Sequence, residues 1–187
     1  MPREIRTPQP HPGTTVAGSA PAPEASSPGA PAPEASSPGA SPQADDACGD
    51  VYAFPLSCSA SAGGRLIPME TGADIPFPIA RVFFIRDLRP GTVRGRHAHL
   101  KLREVLVCVQ GSCRVGVTDG RAFREFSLDA PDRALYVGPR VWLEISDASP
   151  DCIILALAST PYDPGDRITD YAAFLDRCAR PGAQAPE

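Results

Sequence analysis

The sequence predicts an all-β domain finished by one short helix, on three observations. Between residues 48 and 179 the apolar residues fall into short runs, several of them alternating and rich in Val, Ile and Phe. Turn-forming Gly, Pro, Asp and Ser break these runs about every eight to twelve residues, giving about eight to ten strands, the number a sandwich or barrel needs. Only the stretch beginning at Thr169 repeats its apolar residues at helical spacing.

The elements follow in order. Leu66–Glu70 reads as a weak strand, with Pro68 marking an edge or a bulge. Ile79–Leu88 is a strong strand, and Arg94–His99 is extended. Glu104–Val109 runs through Gln110-Gly111 into Cys113–Val117, which reads as a hairpin. Asp119-Gly120 is the best tight-turn signal in the chain and leads into Ala122–Leu128. Ala134–Val137, Val141–Ile145 and Cys152–Ala158 complete the strands. Thr169 is placed to cap the helix and Asp170 suits its first turn, with Tyr171, Phe174, Leu175 and Cys178 along one side.

Of the 187 residues, 1–47 form a separate segment holding 11 of the 23 prolines and no aromatic residue. It carries a tandem decapeptide, PAPEASSPGA, at 21–30 and 31–40. Such a segment buries too little apolar surface to offset its ordering entropy and is expected to be disordered, as is the tail at 180–187. Residues 48–179 are long enough for one domain with its own core. A net charge of −4 argues against a general nucleic-acid partner. No apolar run approaches a membrane span, and the N-terminus lacks the apolar stretch of a signal peptide, so the expected location is the cytoplasm. The six cysteines (Cys48, Cys58, Cys108, Cys113, Cys152 and Cys178) include no C-x-x-C pair, and buried free thiols are expected.

Chemistry concentrates at Arg94-Gly-Arg-His97-Ala-His99. On a strand, residues i and i+2 share a face, so both imidazoles enter one space, where they serve either as acid–base groups near neutrality or as metal ligands. The spacing from Gly91 through His97, His99 and Glu104 to Gly111 resembles the first cupin motif, which implies a double-stranded β-helix, or jelly-roll barrel. In metal-binding cupins the two histidines and the glutamate are ligands, so His97, His99 and Glu104 form an alternative metal set. Leu143 stands where a further ligand would be expected, and no histidine remains in the domain to replace it.

A wider resemblance runs from about Gly64 to Leu175. The segments Ile75-Pro-Phe-Pro-Ile-Ala-Arg81-Val82, Arg94-Gly-x-His97-Ala-His99 and Val107–Val115 resemble the dTDP-sugar 3,4-ketoisomerases, as do Leu135–Trp142, Leu157–Ser159, Tyr162-Asp163 and Asp166–Phe174. Glu104 replaces the usual glutamine of that family, and Leu143 a frequent histidine. The resemblance implies an enzyme that moves the carbonyl of dTDP-4-keto-6-deoxyglucose from C4 to C3 through an enediolate, for deoxysugar synthesis; the alternatives are a metal-dependent, oxygenase-like cupin using His97, His99 and Glu104, or a non-catalytic nucleotide-sugar-binding cupin. The isomerisation needs acid–base groups and no metal or other cofactor. It implies that His97 shuttles a proton between C3 and C4, with His99 as the second acid or base. It also implies a small-molecule nucleotide-sugar ligand and a homodimer whose residues 50–70 pair with the other subunit.

Four further residues are candidates for substrate contact. Arg94 suits the diphosphate, but a regular strand turns it away from His97, so a bend at Gly95 is required. Trp142 either stacks on the base or lies in the core. Glu144 shares its strand face. Glu104 is a metal ligand, a partner for a histidine N–H, or a charge acting on both histidines. Tyr136 reads as structural, and Asp163, Asp166, Arg167 and Asp170 as a solvated loop before the helix.

Overall fold

The computed structural model describes residues 50–179, so the proline-rich segment 1–47 and the tail 180–187 lie outside the described residues. Two antiparallel five-stranded sheets make the domain. The first runs in the order β1 (Val51–Pro55), β9 (Arg133–Val137), β6 (Glu104–Gln110), β11 (Ile153–Ala158), β4 (Arg81–Ile85). The second runs β12 (Arg167–Ile168), β5 (Arg94–His99), β10 (Trp142–Ser146), β7 (Cys113–Thr118), β8 (Phe123–Leu128). A small ribbon, β2 (Ser59–Ser61) with β3 (Gly64–Leu66), stands apart, and α1 (Tyr171–Ala179) ends the domain.

Between the sheets lies the main core, with Leu106, Leu135 and Ile154 from the first facing Val115, Val117, Leu143 and Ile145 from the second. The first sheet is covered on its outer side as well. Leu56, Ile75 and Phe77, from the segments flanking the ribbon, pack on Val105, Val107, Tyr136 and Leu157. With both faces dry, β6 and β11 read as near-continuous apolar runs rather than alternating ones. On the outer side of the second sheet, Phe174 of α1 packs with Ala98, Trp142 and Ile168.

Several expectations are corrected. β6 and β7 are not a hairpin: β6 pairs with β9 and β11, and β7 with β8 and β10. The chain crosses between sheets at Gly111, whose φ of 70° and close approach to Ser149, Asp151 and Cys152 exclude a side chain. The true hairpin is β7–β8, closed across Asp119–Ala122, where Asp119 Oδ1 accepts from the backbone N–H of Arg121 and Ala122 at 2.9 Å. The strand expected at 79–88 is shorter, and of 66–70 only Leu66 is in a strand. Ile67 and Met69 pack instead over the first sheet's outer face. The helix is capped by Asp170 rather than Thr169, its Oδ1 accepting from Ala173 N–H at 2.7 Å. Of the described cysteines, Cys108, Cys113 and Cys152 are buried, Cys178 is half-buried and Cys58 is exposed; all five are free thiols. Among the described residues no helix is long and apolar enough to cross a membrane.

Candidate active site

A cleft of about 560 Å³ opens between the sheets at the end where β5, β6 and β12 bring their polar residues together. That volume suits a ligand of drug size or larger. Its walls hold Arg81, Arg86, Arg94 and Arg167 against a single carboxyl, Glu104, with His97 and His99 between them. In a chain of net charge −4, four arginines in one cavity form a local site for an anion.

The path of β5 explains how Arg94 and both histidines reach the same space. Opposite β10, Arg94 pairs with Ile145, Gly95 with Glu144, His97 with Leu143 and Ala98 with Trp142, so Arg96 is an extra residue in a bulge. Gly95 and Arg96 both take positive φ, 81° and 51°. The inserted residue restores the inward parity, and Arg94 joins His97 and His99 on the cleft side. A Cβ on Gly95 would lie 2.8 Å from the Leu143 carbonyl oxygen, so the turn requires glycine.

The two imidazoles meet edge to face, centroids 4.8 Å apart and rings at 88°, with Nε2 to Nε2 at 3.1 Å. His99 Nδ1 lies 3.0 Å from Asp166 Oδ2. Asp166 is itself buried and accepts the backbone N–H groups of Lys101 and Leu102 at 2.8 and 3.2 Å. The carboxylate therefore takes the Nδ1–H of His99 and leaves its Nε2 as an acceptor. The short contact then requires His97 to donate from Nε2. Its Nδ1 is buried without a well-formed hydrogen bond, although the Gly95 backbone beside it acts to raise its basicity. Burial lowers the pKa of His97, and burial plus the neighbouring His97 lowers His99 to about 4 against the opposing pull of Asp166. Near neutrality the pair is uncharged and holds one hydrogen between its two Nε2 atoms.

Glu104 is buried beside them, and loss of hydration pushes its carboxyl up to about 7 although Arg81 and Arg167 pull it down. Arg81 and Glu104 both pair with Ala158 of the intervening β11, whose small side chain lets them approach across it. The Arg81 guanidinium lies over the rings of Phe83 and Tyr162 at 5.1 and 5.4 Å, and its Nε is buried with no hydrogen-bond partner among the described residues.

Two expected substrate contacts lie elsewhere. Trp142 points away from the cleft and is buried against Phe174 and Tyr171 of α1, at centroid distances of 5.5 and 4.9 Å. Glu144 follows it on that outer face, accepting Trp142 Nε1–H at 3.2 Å and lying 3.7 Å from Arg96 Nε. The alternative metal set also fails to assemble. Among the described residues, the group of potential ligand atoms close enough to share an ion consists of three cysteines, and His97, His99 and Glu104 do not form one. Arg81 and Arg86 are site residues that sequence reasoning passed over, and Asp166 and Arg167, expected in a solvated loop, belong to the site instead, Asp166 buried against His99 and Arg167 lining the cleft. Asp166 lies 67 positions from His99, so no local spacing reports their contact.

Residues 50–179 match the family described as FdtA, WxcM-like, C-terminal. The chain is 49% identical over 117 residues to the TDP-4-oxo-6-deoxy-alpha-D-glucose-3,4-oxoisomerase of Aneurinibacillus thermoaerophilus, a match covering 63% of this chain and 84% of that protein. It superimposes with a TM-score of 0.69 on a 3,4-ketoisomerase from Helicobacter canadensis, at 34% identity, covering 70% of this chain and 98% of that one. The TM-score is also 0.69, at 33% identity and 72% and 98% coverage, for a histidine-to-asparagine variant of the 3,4-ketoisomerase QdtA from Thermoanaerobacterium thermosaccharolyticum, solved with TDP-4-keto-6-deoxyglucose.

Proposed function

This chain belongs to the FdtA (WxcM-like, C-terminal) family of cupin-fold sugar isomerases, and from that premise we propose how its cleft performs the reaction. The protein is a TDP-sugar 3,4-ketoisomerase that moves the carbonyl of TDP-4-keto-6-deoxyglucose from C4 to C3. The observation that carries the assignment of roles is the pair of neutral imidazoles, Nε2 to Nε2 at 3.1 Å, on the wall of an arginine-lined cleft.

The C3 hydrogen of the substrate is acidic because the C4 ketone takes up the charge as an enediolate. Removing that proton and returning one to C4 needs a base poised near the working pH. We assign this transfer to His97. His97 passes the hydrogen on its Nε2 to His99 Nε2 as that same Nε2 takes the C3 proton, and the Asp166 carboxylate stabilises the positive charge that then falls on His99. His99 is accordingly the second acid–base group and Asp166 its positioning residue. Arg94, with Arg86 and Arg167, binds the diphosphate through guanidinium forks, and half-buried Arg81 and buried Glu104 form part of the pocket wall. Leu143, directly across from His97, gives the cleft an apolar wall there.

Two finer parts belong to the same reading. The enzyme works in the cytoplasm as a homodimer, and within residues 50–70 the β2–β3 ribbon docks on the second copy. The β2–β3 ribbon supports this: every residue in it is exposed, Leu66 by 67%, and a lone two-stranded ribbon is at best marginally stable in water.

The test is to incubate the protein with TDP-4-keto-6-deoxyglucose in deuterated water and follow carbon and proton resonances. Migration of the carbonyl to C3 is expected, with solvent deuterium entering at C4, the carbon that is reprotonated. An unchanged C4 ketone under conditions where the sugar is bound overturns the reading.

A further inference from the structure

Beyond the apolar floor of the cleft, three buried thiols gather where the chain crosses between the sheets. Cys108 ends the inward face of β6, Cys113 opens β7, and Cys152 immediately precedes β11. Their sulfurs all lie within 4.8 Å of one another, and Cys108 to Cys152 is 3.8 Å. Each residue is no more than 2% exposed. On β6, Glu104 and Leu106 line the cleft and Cys108 follows on the same face. At ~3.3 Å per residue it lies roughly 13 Å from Glu104.

Both crossovers meet here and are stitched together. Ser149 N–H donates to the Ser112 carbonyl at 2.9 Å, Ser112 N–H to Ser149 Oγ at 3.0 Å, and Cys152 N–H to the Ser149 carbonyl at 3.0 Å. A single buried cysteine is ordinary core filling. Three from three different segments, converging on one point, make a preformed donor set.

With a metal–sulfur bond of ~2.3 Å, a trigonal ion holds its three sulfurs about 4.0 Å apart. The observed spacing fits that triangle. Among the described residues no fourth Cys, His, Asp or Glu joins the group, and structural zinc is almost always four-coordinate. Thiolate donors select soft ions, among them Cu(I).

We propose that Cys108, Cys113 and Cys152 form a three-coordinate Cu(I) site that clamps the two crossovers at the closed end of the barrel. Binding replaces S–H bonds with S–Cu bonds and releases the thiol protons to solvent, with no change of oxidation state. The ion sits in the hydrophobic floor and takes no part in the isomerisation.

The experiment uses the full chain with Cys48, Cys58 and Cys178 replaced by alanine, kept anaerobic and reduced. It is titrated with Cu(I) against bicinchoninate, and separately with Zn(II). About one Cu(I) per chain is expected, with thiolate-to-copper charge-transfer absorption, a higher Tm and unchanged ketoisomerase turnover. Cys113→Ala and Cys152→Ser should each lose the absorption band and the Tm gain. Should these variants misfold, the triple-alanine chain itself reports: X-ray absorption of its bound copper should show three sulfur neighbours, and nitrogen or oxygen neighbours would overturn the site. Failure to compete with bicinchoninate, preference for Zn(II), or an absorption band surviving in a folded cysteine variant overturns the site.

Discussion

At the scale of single residues the cleft works by removing water from ionisable groups. His97→Asn should lower turnover by ~10²–10⁴-fold while leaving substrate affinity nearly intact, because it deletes one positioned acid–base group. Asp166→Asn should cost less, up to ~10²-fold in turnover, and should shift the acidic limb of the rate profile because His99 loses its orienting charge. Parallel steady-state and isothermal binding measurements separate the two outcomes. Glu104 adds a stability effect. Its folded pKa of about 7 lies above its ordinary 4.5, so the folded chain holds that proton more tightly and stability is lost as pH rises from 4.5 through 7. His99, lowered from 6.5 to about 4, acts in the opposite sense, removing stability as pH falls through that window. Glu104→Gln should therefore be nearly neutral at pH 4.5 and more stable than wild type above pH 7, by something on the order of 3 kcal/mol, read from urea unfolding at both pH values. The histidine pair was legible because strand parity alone puts i and i+2 together. Asp166 was not, since its recruitment depends on a two-residue strand, β12, laid beside β5 late in the chain.

At the scale of elements, the feature on which the site depends is the bulge in β5. Gly95→Ala would force a side chain into left-handed backbone and against the Leu143 carbonyl. The conformational cost alone is about 1–2 kcal/mol. Relaxing it should swing Arg94 or His97 out of line, so the expected result is a lower unfolding midpoint together with a marked loss of turnover. Retention of both would show that the bend is not needed. Most strands were readable from their apolar runs and turn residues. Their partners were less so: nothing in Glu104–Val109 and Cys113–Val117 distinguishes a hairpin from a crossover, because both present the same apolar faces. Trp142 illustrates the same limit, since the side of the sheet it faces is fixed only once the helix is docked.

At the scale of the whole molecule, the first sheet is covered on both faces and the second carries α1, while the ribbon and β4 keep large apolar side chains exposed, as do Phe123 and Tyr162 elsewhere. Leu66, Val82 and Phe84 are exposed by 67, 53 and 60%. These form the surface that the proposed second subunit would cover. Wild type should sediment as a dimer, and Leu66→Glu should shift it toward monomer without loss of far-ultraviolet dichroism. A monomeric wild type would exclude the arrangement. The fold class was legible in outline because it rests on strand count and turn spacing. The cationic cleft was not, because its arginines come from β4, β5 and β12 and from the segment after β4.

The odd interval between Arg94 and His97 has a consequence for ancestry. With that spacing fixed, the side of the sheet that Arg94 faces is decided by whether position 95 admits the left-handed bend, so a lineage that exchanges this glycine for a residue with a side chain should turn the arginine outward with no insertion or deletion.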